Sequence, residues 1–185
     1  SFAGWQVQDD APSVQAAVQA ALTTVCNHPV EITAAGRTDA GVHARAQVIH
    51  FETSAARSER ALILGANSNL PATVALQWVR FVPDHFHARY SALARTYRYC
   101  ILNRPARSAI NAGRTAFIYR PLHIEPMQQA AALLLGTHDF SAFRAVECQA
   151  KSPVRKMETL NVARSAEWVT IDVTANAFLH HMVRN

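Results

Sequence analysis

Residues 154–178, VRKMETLNVARSAEWVTIDVTANAF, decide the class of fold that the sequence predicts. Residues 154–164 and 167–178 both have the composition of β-strands, and a short polar turn around Ser165 separates them. Two strands that are joined by so short a turn pair antiparallel. The stretch therefore predicts an antiparallel hairpin.

The elements before this hairpin alternate between helices and strands. Residues 94–102, ARTYRYCIL, predict a strand with Tyr97 and Tyr99 on one face, and residues 125–136, EPMQQAAALLLG, predict a helix. Further helices are predicted at residues 13–26 and 58–70, and further strands at residues 30–33, 47–52 and 74–82. This order favours an α+β fold with a mixed, mainly antiparallel central sheet and helices packed on it.

The length of 185 residues and a hydrophobic content of 50% bound the organisation of the chain. They permit a real core, so disordered and fibrous proteins are excluded. We expect one domain over residues 1–185, or two pseudo-repeated halves over residues 1–92 and 93–185 that share a sheet. Residues 84–92, DHFHARYSA, faintly echo residues 138–145, HDFSAFRA, but this echo alone does not establish a repeat.

The cysteines and the hydropathy pattern indicate the compartment. Cys26, Cys100 and Cys148 are far apart and form no C-x-x-C pair, so neither a disulfide framework nor a zinc site is indicated. No apolar run is long enough to span a membrane, and the pattern of a signal peptide is missing. We therefore expect a cytoplasmic protein with reduced thiols and no membrane segment.

The charge of the chain is basic and unevenly placed. The net charge is +5, the pI is about 9.6, and Lys151 and Lys156 are the only lysines among 18 basic residues. Residues 85–124, here called the basic band, contain no acid, and seven arginines alternate there with aromatic residues. Such a band is either a nucleic-acid surface or a solvated basic face whose aromatic rings turn into the core.

A glycine-rich loop between two predicted strands carries one acid among several basic residues. Residues 34–51 are AAGRTDAGVHARAQVIHF, and Asp39 lies there close to Arg37, His43 and Arg45. Asp before Ala-Gly is ordinary turn chemistry, and the local pattern alone favours that role. The arginines, however, favour an ionised carboxylate, which is suited to nucleophilic or base chemistry.

Histidines raise the alternative of a metal-dependent hydrolase. Residues 85–87, HFH, and residues 180–181, HH, place histidines close together, but no cysteine or carboxylate cluster completes a ligand set. We therefore expect no metal. The sequence also lacks G-x-S-x-G, a Walker A loop and G-x-G-x-x-G, so the commonest cofactor-dependent functions are not indicated.

Several blocks in one order resemble the TruA family of tRNA pseudouridine synthases. The central block is GRTDAGVHA at residues 36–44, followed by QVIHF. The others are GWQ at 4–6, NSNLP at 67–71, FHARYSA at 86–92, RTYRY at 95–99, DFSAFRA at 139–145 and NAFLHHMVRN at 176–185. Ordered blocks along the whole chain are far more specific than any one motif.

The resemblance implies an isomerase that converts uridine to pseudouridine in the anticodon stem-loop of tRNA, at positions 38, 39 and 40, without cofactor or metal. It implies that Asp39 is the catalytic nucleophile and that Tyr97 contacts the target base. Arg37 is implied to help flip the target nucleotide out of the helix. Arg184 is implied to pair with the catalytic carboxylate.

The resemblance also implies further segments and a homodimer. Family chains have a strand before the GWQ block and a helix and strand after HHMVRN, so we expect this catalytic domain to be truncated at both ends. Their tRNA site draws on both subunits of a homodimer. A non-catalytic RNA-binding module is the alternative, since the basic band alone would support it.

Overall fold

The structure, a computed structural model, describes residues 2–185 and divides the chain into two compact units, Ser1–Ala92 and Leu93–Asn185. Each unit contains both helix and strand. Among the residues described, no helix is both long and apolar enough to cross a membrane. The α+β class is confirmed.

The first helix of the first unit, α1, spans Val14–Cys26 as predicted. It begins there because the Ser13 hydroxyl accepts a hydrogen bond from the Ala16 N–H at 3.2 Å, which satisfies one of the free donors of the first turn. It ends at Asn27, which adopts a left-handed conformation with φ of 59°.

The second helix, α2, spans Glu59–Asn69 and packs against α1 to form the core of the first unit. Leu22 of α1 and Leu62 of α2 are both fully buried in this core. The helices approach closely at Gly65, where an added Cβ would lie 2.8 Å from Val25 Cγ2. Glycine at this position therefore permits the close contact.

Two very short strands complete the first unit. Strand β1, Thr33–Ala34, pairs antiparallel with β2, Ile49–His50. The predicted strands at residues 30–33 and 47–52 were therefore placed in the right region but were too long. The hairpin brackets the loop that contains Asp39.

The strand predicted at residues 74–82 was wrong, because this segment bonds to side chains of α2 instead of to another strand. Leu76 N donates to Asn67 Oδ1 at 2.8 Å, and Asn67 Nδ2 donates to Leu76 O at 2.9 Å. Phe81 N likewise donates to the Glu59 carboxylate at 3.2 Å. One amide side chain thus takes the place of a neighbouring strand.

The second unit is built on a mixed five-stranded sheet in the order β4-β3-β7-β6-β5. Its elements are β3 (Arg95–Asn103), β4 (Ala116–Ile118), α3 (Ile124–Leu133), β5 (Gly136–Asp139), a 3-10 turn (Ser141–Phe143), β6 (Val154–Ser165) and β7 (Trp168–Ala175). Only the β3–β4 pair is parallel, so the predicted mixed and mainly antiparallel sheet is confirmed.

The predicted hairpin forms the centre of this sheet. Strands β6 and β7 pair from Ser165 and Trp168 at the turn, where Ala166 adopts a positive φ of 51°. Helix α3 covers one face, with Ala131 buried against Val162 and Val169. The helix was predicted to reach residue 136, but it ends at Leu133.

Candidate active site

The loop of residues 35–48 carries the predicted catalytic aspartate and is closed at its base. Ala35 N donates to Val48 O at 2.9 Å, directly beyond the β1–β2 pair. Gln47 Nε2 donates to Gly36 O at 2.5 Å. Because both ends are fixed by hydrogen bonds, the loop is a defined support for a reactive group.

Asp39 opens a tight turn within this loop. Its carbonyl accepts a hydrogen bond from Val42 N at 3.1 Å, and Gly41 has a φ of +79°. A positive φ at the third position is what a type II turn requires, so the glycine has a conformational reason to be there. The turn interpretation is therefore correct for the backbone, and the Asp39 side chain is half-buried.

A second backbone segment holds Asp39 from the N-terminal side. Gly4 forms an isolated antiparallel bridge with Asp39, and Trp5 N donates to Thr38 O at 2.9 Å. Gly4 has a φ of +113°, and a Cβ at this residue would lie 2.6 Å from Thr38 O. The GWQ block, for which the sequence indicates no role, supports the aspartate loop through these contacts.

The basic residues of the loop are directed to its surface. Arg37, His43 and Arg45 are all exposed. Within residues 2–185, no salt bridge joins Arg37 or Arg45 to an acid. Both guanidinium groups are therefore accessible to an anionic ligand such as a nucleic-acid backbone.

Strand β2 leaves the loop and is fixed by a pair of histidines. The rings of His50 and His87 lie 4.6 Å apart between centroids, and His50 Nδ1 accepts a hydrogen bond from Ala88 N at 3.1 Å. Burial and the neighbouring His87 lower the pKa of His50, although Glu52 opposes them. Sequence reasoning considered His87 only as a metal ligand and missed this structural role.

Tyr97 lies on β3 of the second unit, opposite Val173 of β7. Its half-buried ring packs edge-on against Phe178, with the centroids 5.0 Å apart and the planes at 87°. This is the packing role that is usual for a strand tyrosine. The ring is thereby fixed in orientation, which also suits a side chain that has to contact a base.

Arg184 lies in the C-terminal segment, residues 176–185. Leu179 and Met182 are buried and anchor this segment in the core of the second unit. Arg184 is exposed, and its backbone N donates to His181 O at 2.8 Å. Since Phe178 belongs to the same segment, the structure joins Tyr97 to the piece of chain that carries Arg184.

The loop of residues 139–150 holds the C-terminal segment in place. Ala145 N donates to His180 O at 3.1 Å, and His180 N donates to Cys148 Sγ at 3.4 Å. Arg144 closes this loop on itself by donating to the carbonyl of Cys148, and also to that of Ala150 at 3.0 Å. The DFSAFRA block therefore has a supporting role that the sequence did not reveal.

The basic band divides between the two interpretations that the sequence left open. The strand residues Tyr97 and Tyr99 turn into the core, while Tyr90 and Tyr119 are exposed. Two arginines of the band are engaged in salt bridges, Arg98 with Asp172 and Arg104 with Glu167. The exposed aromatic side chains of the band thus lie outside β3.

An apolar cavity of about 290 Å³ lies in the second unit between α3, the sheet and the C-terminal segment. Its walls include Met127, Phe140 and Phe178. None of the four predicted site residues lines it.

Comparison with known proteins gives one consistent result. The model of a family described as tRNA pseudouridine synthase matches residues 1–91 and 130–185. The chain is 54% identical over 185 residues to tRNA pseudouridine synthase A of Nitrosococcus oceani, covering all of this chain and 71% of that protein. The proteins of the same name from Methylococcus capsulatus and Salmonella paratyphi B are 54% and 50% identical over 184 residues, with 68% of each covered.

Proposed function

The chain belongs to the tRNA pseudouridine synthase family, so it isomerises uridine in tRNA, and we propose that Asp39 is its catalytic nucleophile. The observation that supports this role is the double anchoring of the Asp39 backbone, by the turn to Val42 and by the bridge to Gly4. A reactive carboxylate has to be held in a defined position before the substrate arrives.

The reaction breaks the bond between uracil N1 and ribose C1′ and forms a bond between C5 and C1′. Asp39 either attacks C1′ or takes the proton from the neighbouring C2′ to leave a glycal. The detached uracil rotates in the site, C5 joins C1′, and the C5 proton is lost while N1 gains one. The reaction is balanced without a cofactor.

The target uridine has to leave its helix or loop stack before its glycosidic bond can be reached. We propose that Arg37, which is exposed on the aspartate loop, assists this flipping by contacting the displaced backbone. Tyr97 contacts the extruded base, and its fixed ring supports that assignment. Arg184 pairs with the Asp39 carboxylate in the reacting complex.

We also propose that the tRNA site is the anticodon stem-loop, positions 38, 39 and 40, and that the enzyme works as a cytoplasmic homodimer. The family likeness supports the anticodon stem-loop and the homodimer. Three free cysteines, two of them buried, support a reducing compartment.

The proposal is tested with tRNA that carries tritium at uridine C5. Isomerisation releases that label to water, whereas binding alone releases none. We expect Asp39→Asn to reduce tritium release by at least about a thousandfold while tRNA affinity stays within a few-fold of the wild type, because the amide keeps the shape but not the nucleophile.

The Arg37→Gln variant is the matched control on the same loop. It should weaken binding or slow flipping without abolishing the chemistry. Undiminished release by Asp39→Asn would refute the assignment of the nucleophile. Tight tRNA binding with no release by the wild type would favour the non-catalytic RNA-binding module.

A further inference from the structure

Tyr90 of the first unit is an exposed aromatic side chain whose ring is nevertheless held in place. It is 78% exposed. Its ring stacks on His87 with the centroids 4.2 Å apart and the planes at 28°. His87 Nδ1 accepts hydrogen bonds at 3.2 Å from the backbone N–H groups of Arg89 and Tyr90. The His87 ring is therefore fixed to the turn that carries Tyr90.

The support under Tyr90 extends to the strand that leaves the aspartate loop. His87 N donates to Ser91 Oγ at 3.1 Å, and Ser91 N donates to His87 O at 2.7 Å, which closes the turn. The His87 ring lies 4.6 Å from that of His50 on β2, which is itself bonded to Ala88 N. The three rings are therefore in contact one after another: His50 meets His87 at a tilt of 57°, and His87 stacks on Tyr90 at the surface.

The charge around this ring favours a nucleotide. The Arg89 guanidinium carbon lies 5.9 Å from the Tyr90 ring centroid, and residues 85–92 of the same unit contain no acid. An aromatic ring beside an arginine is the usual platform for a base and its phosphate in single-stranded nucleic acid. A ring that is already ordered loses little conformational entropy when a base stacks on it.

We infer that Tyr90 and Arg89 form a binding subsite for a nucleotide of the tRNA other than the target uridine, with the base stacked on Tyr90 and its phosphate beside Arg89. The inference rests on the tRNA substrate of the family and is independent of the role of Asp39. The target base is assigned to Tyr97, so Tyr90 takes a different, unpaired base.

The test compares Tyr90→Leu with Tyr90→Phe. Leucine retains an apolar side chain over His87 but cannot stack on a base, whereas phenylalanine can. We expect Tyr90→Leu to raise both the Kd for tRNA and the KM of tritium release about ten-fold, because a base–aromatic stack has roughly that value. The kcat at saturating tRNA should stay unchanged, and Tyr90→Phe should bind within about two-fold of the wild type.

Phe81→Leu is the matched control. Phe81 is 69% exposed in the same unit, but among the residues that the structure describes no other ring supports it as His87 supports Tyr90. This variant should bind tRNA as the wild type does. The subsite is ruled out if Tyr90→Leu binds normally, if Phe81→Leu weakens binding equally, or if the affinity lost by Tyr90→Leu merely follows a lower Tm.

Arg89→Ala supplies an independent measurement. It should reduce the slope of log Kd against log salt by about one, the effect of losing one phosphate contact. An unchanged slope contradicts the phosphate contact. Tritium release by the wild-type enzyme is unaffected by any of these outcomes, so failure of the subsite is distinguishable from failure of the proposed function.

Discussion

Asp39 is positioned by backbone atoms on both sides, so its proposed catalytic role depends on residues that do no chemistry. Gly4 is the residue with the strongest requirement, because its positive φ and its close approach to Thr38 both exclude a side chain. Gly41 combines a positive φ with open space around it, so its role is conformational only. The two glycines therefore support the same loop by different physical means.

We expect Gly4→Ala to be far more harmful than Gly113→Ala. Both glycines have a positive φ, so both variants carry a strain of about 1–2 kcal/mol, but a Cβ meets an atom within 4 Å only at Gly4. Gly4→Ala should therefore also displace the aspartate loop. Its kcat for tritium release should fall at least about ten-fold, which a shift of about 1 Å is enough to cause.

The Gly113→Ala variant is the control for strain alone. It should lower stability in denaturant unfolding while its kcat remains that of the wild type. Equal kcat values for the two variants would contradict a positioning role for Gly4.

His50 gives the stability of the protein a definite pH dependence. Burial and His87 lower its folded-state pKa below the unfolded value of about 6.5, so the unfolded state binds more protons as the pH falls. The contribution is fully present above that unfolded pKa and is lost as the pH falls towards the folded one. Wild-type stability should therefore decrease as the pH falls below about 6.5 towards the folded-state pKa of His50.

The comparison is His50→Asn, in which an amide oxygen replaces the Nδ1 acceptor for Ala88 N. Urea unfolding at a series of pH values should show a shallower decrease for this variant. Identical slopes in the two proteins would mean that His50 does not cause the effect.

At the scale of the elements, the sequence predicted what is locally encoded. Helix α1 was predicted because its cap at Ser13 and its apolar spacing lie within one stretch. The segment at residues 74–82 has the composition of a strand, but Asn67 supplies its hydrogen bonds, and no local pattern signals that partner. Strand β4 was missed for the same reason, since its three residues are strand only through pairing with β3.

The same distinction applies to the candidate site. The motif around Asp39 identified the loop, because the residue types needed there are contiguous in the sequence. Other contacts join residues that are far apart in the sequence. They are the bridge from Gly4, the histidine pair, and the bonds of the loop that holds the C-terminal segment. Such contacts depend on the folded backbone, so no local pattern predicts them.

The contact between α1 and α2 makes Gly65 a packing requirement. Alanine should gain about 1 kcal/mol of helix propensity over glycine, but its Cβ would lie 2.8 Å from Val25 Cγ2. A valine in a helix has one strongly preferred rotamer, so its side chain does not easily rotate away from an added methyl group. We expect Gly65→Ala to be destabilising by about 1–2 kcal/mol net in denaturant unfolding.

A double-mutant cycle isolates this contact. In the Val25→Ala background the obstructing methyl groups are gone, so the added Gly65→Ala change should be neutral or stabilising. The same loss of stability in both backgrounds would place the cause elsewhere than in the Val25 contact.

At the scale of the whole molecule, a net charge of +5 favours binding to tRNA, and the number of phosphate contacts determines how that binding responds to salt. Each neutralised phosphate contributes about 0.7–0.9 to the slope of log K against log salt. With three such contacts, affinity should fall at least about ten-fold between roughly 50 and 200 mM salt. A salt-independent Kd measured by filter binding would show that phosphate contacts do not dominate.

The order of strands in the second unit also affects how the sheet forms during synthesis of the chain. Arg98 of β3 pairs with Asp172 of β7, 74 residues later in the chain, and β3 lies between β7 and the short β4 in the sheet. At a synthesis rate of about 5–20 residues per second, β3 is made roughly 4–15 seconds before its long partner. Throughout that interval the nascent chain exposes a nine-residue strand whose edge is mostly unpaired. Because an unpaired strand edge promotes aggregation, the yield of folded protein in a cell depends on whatever covers β3 on the ribosome.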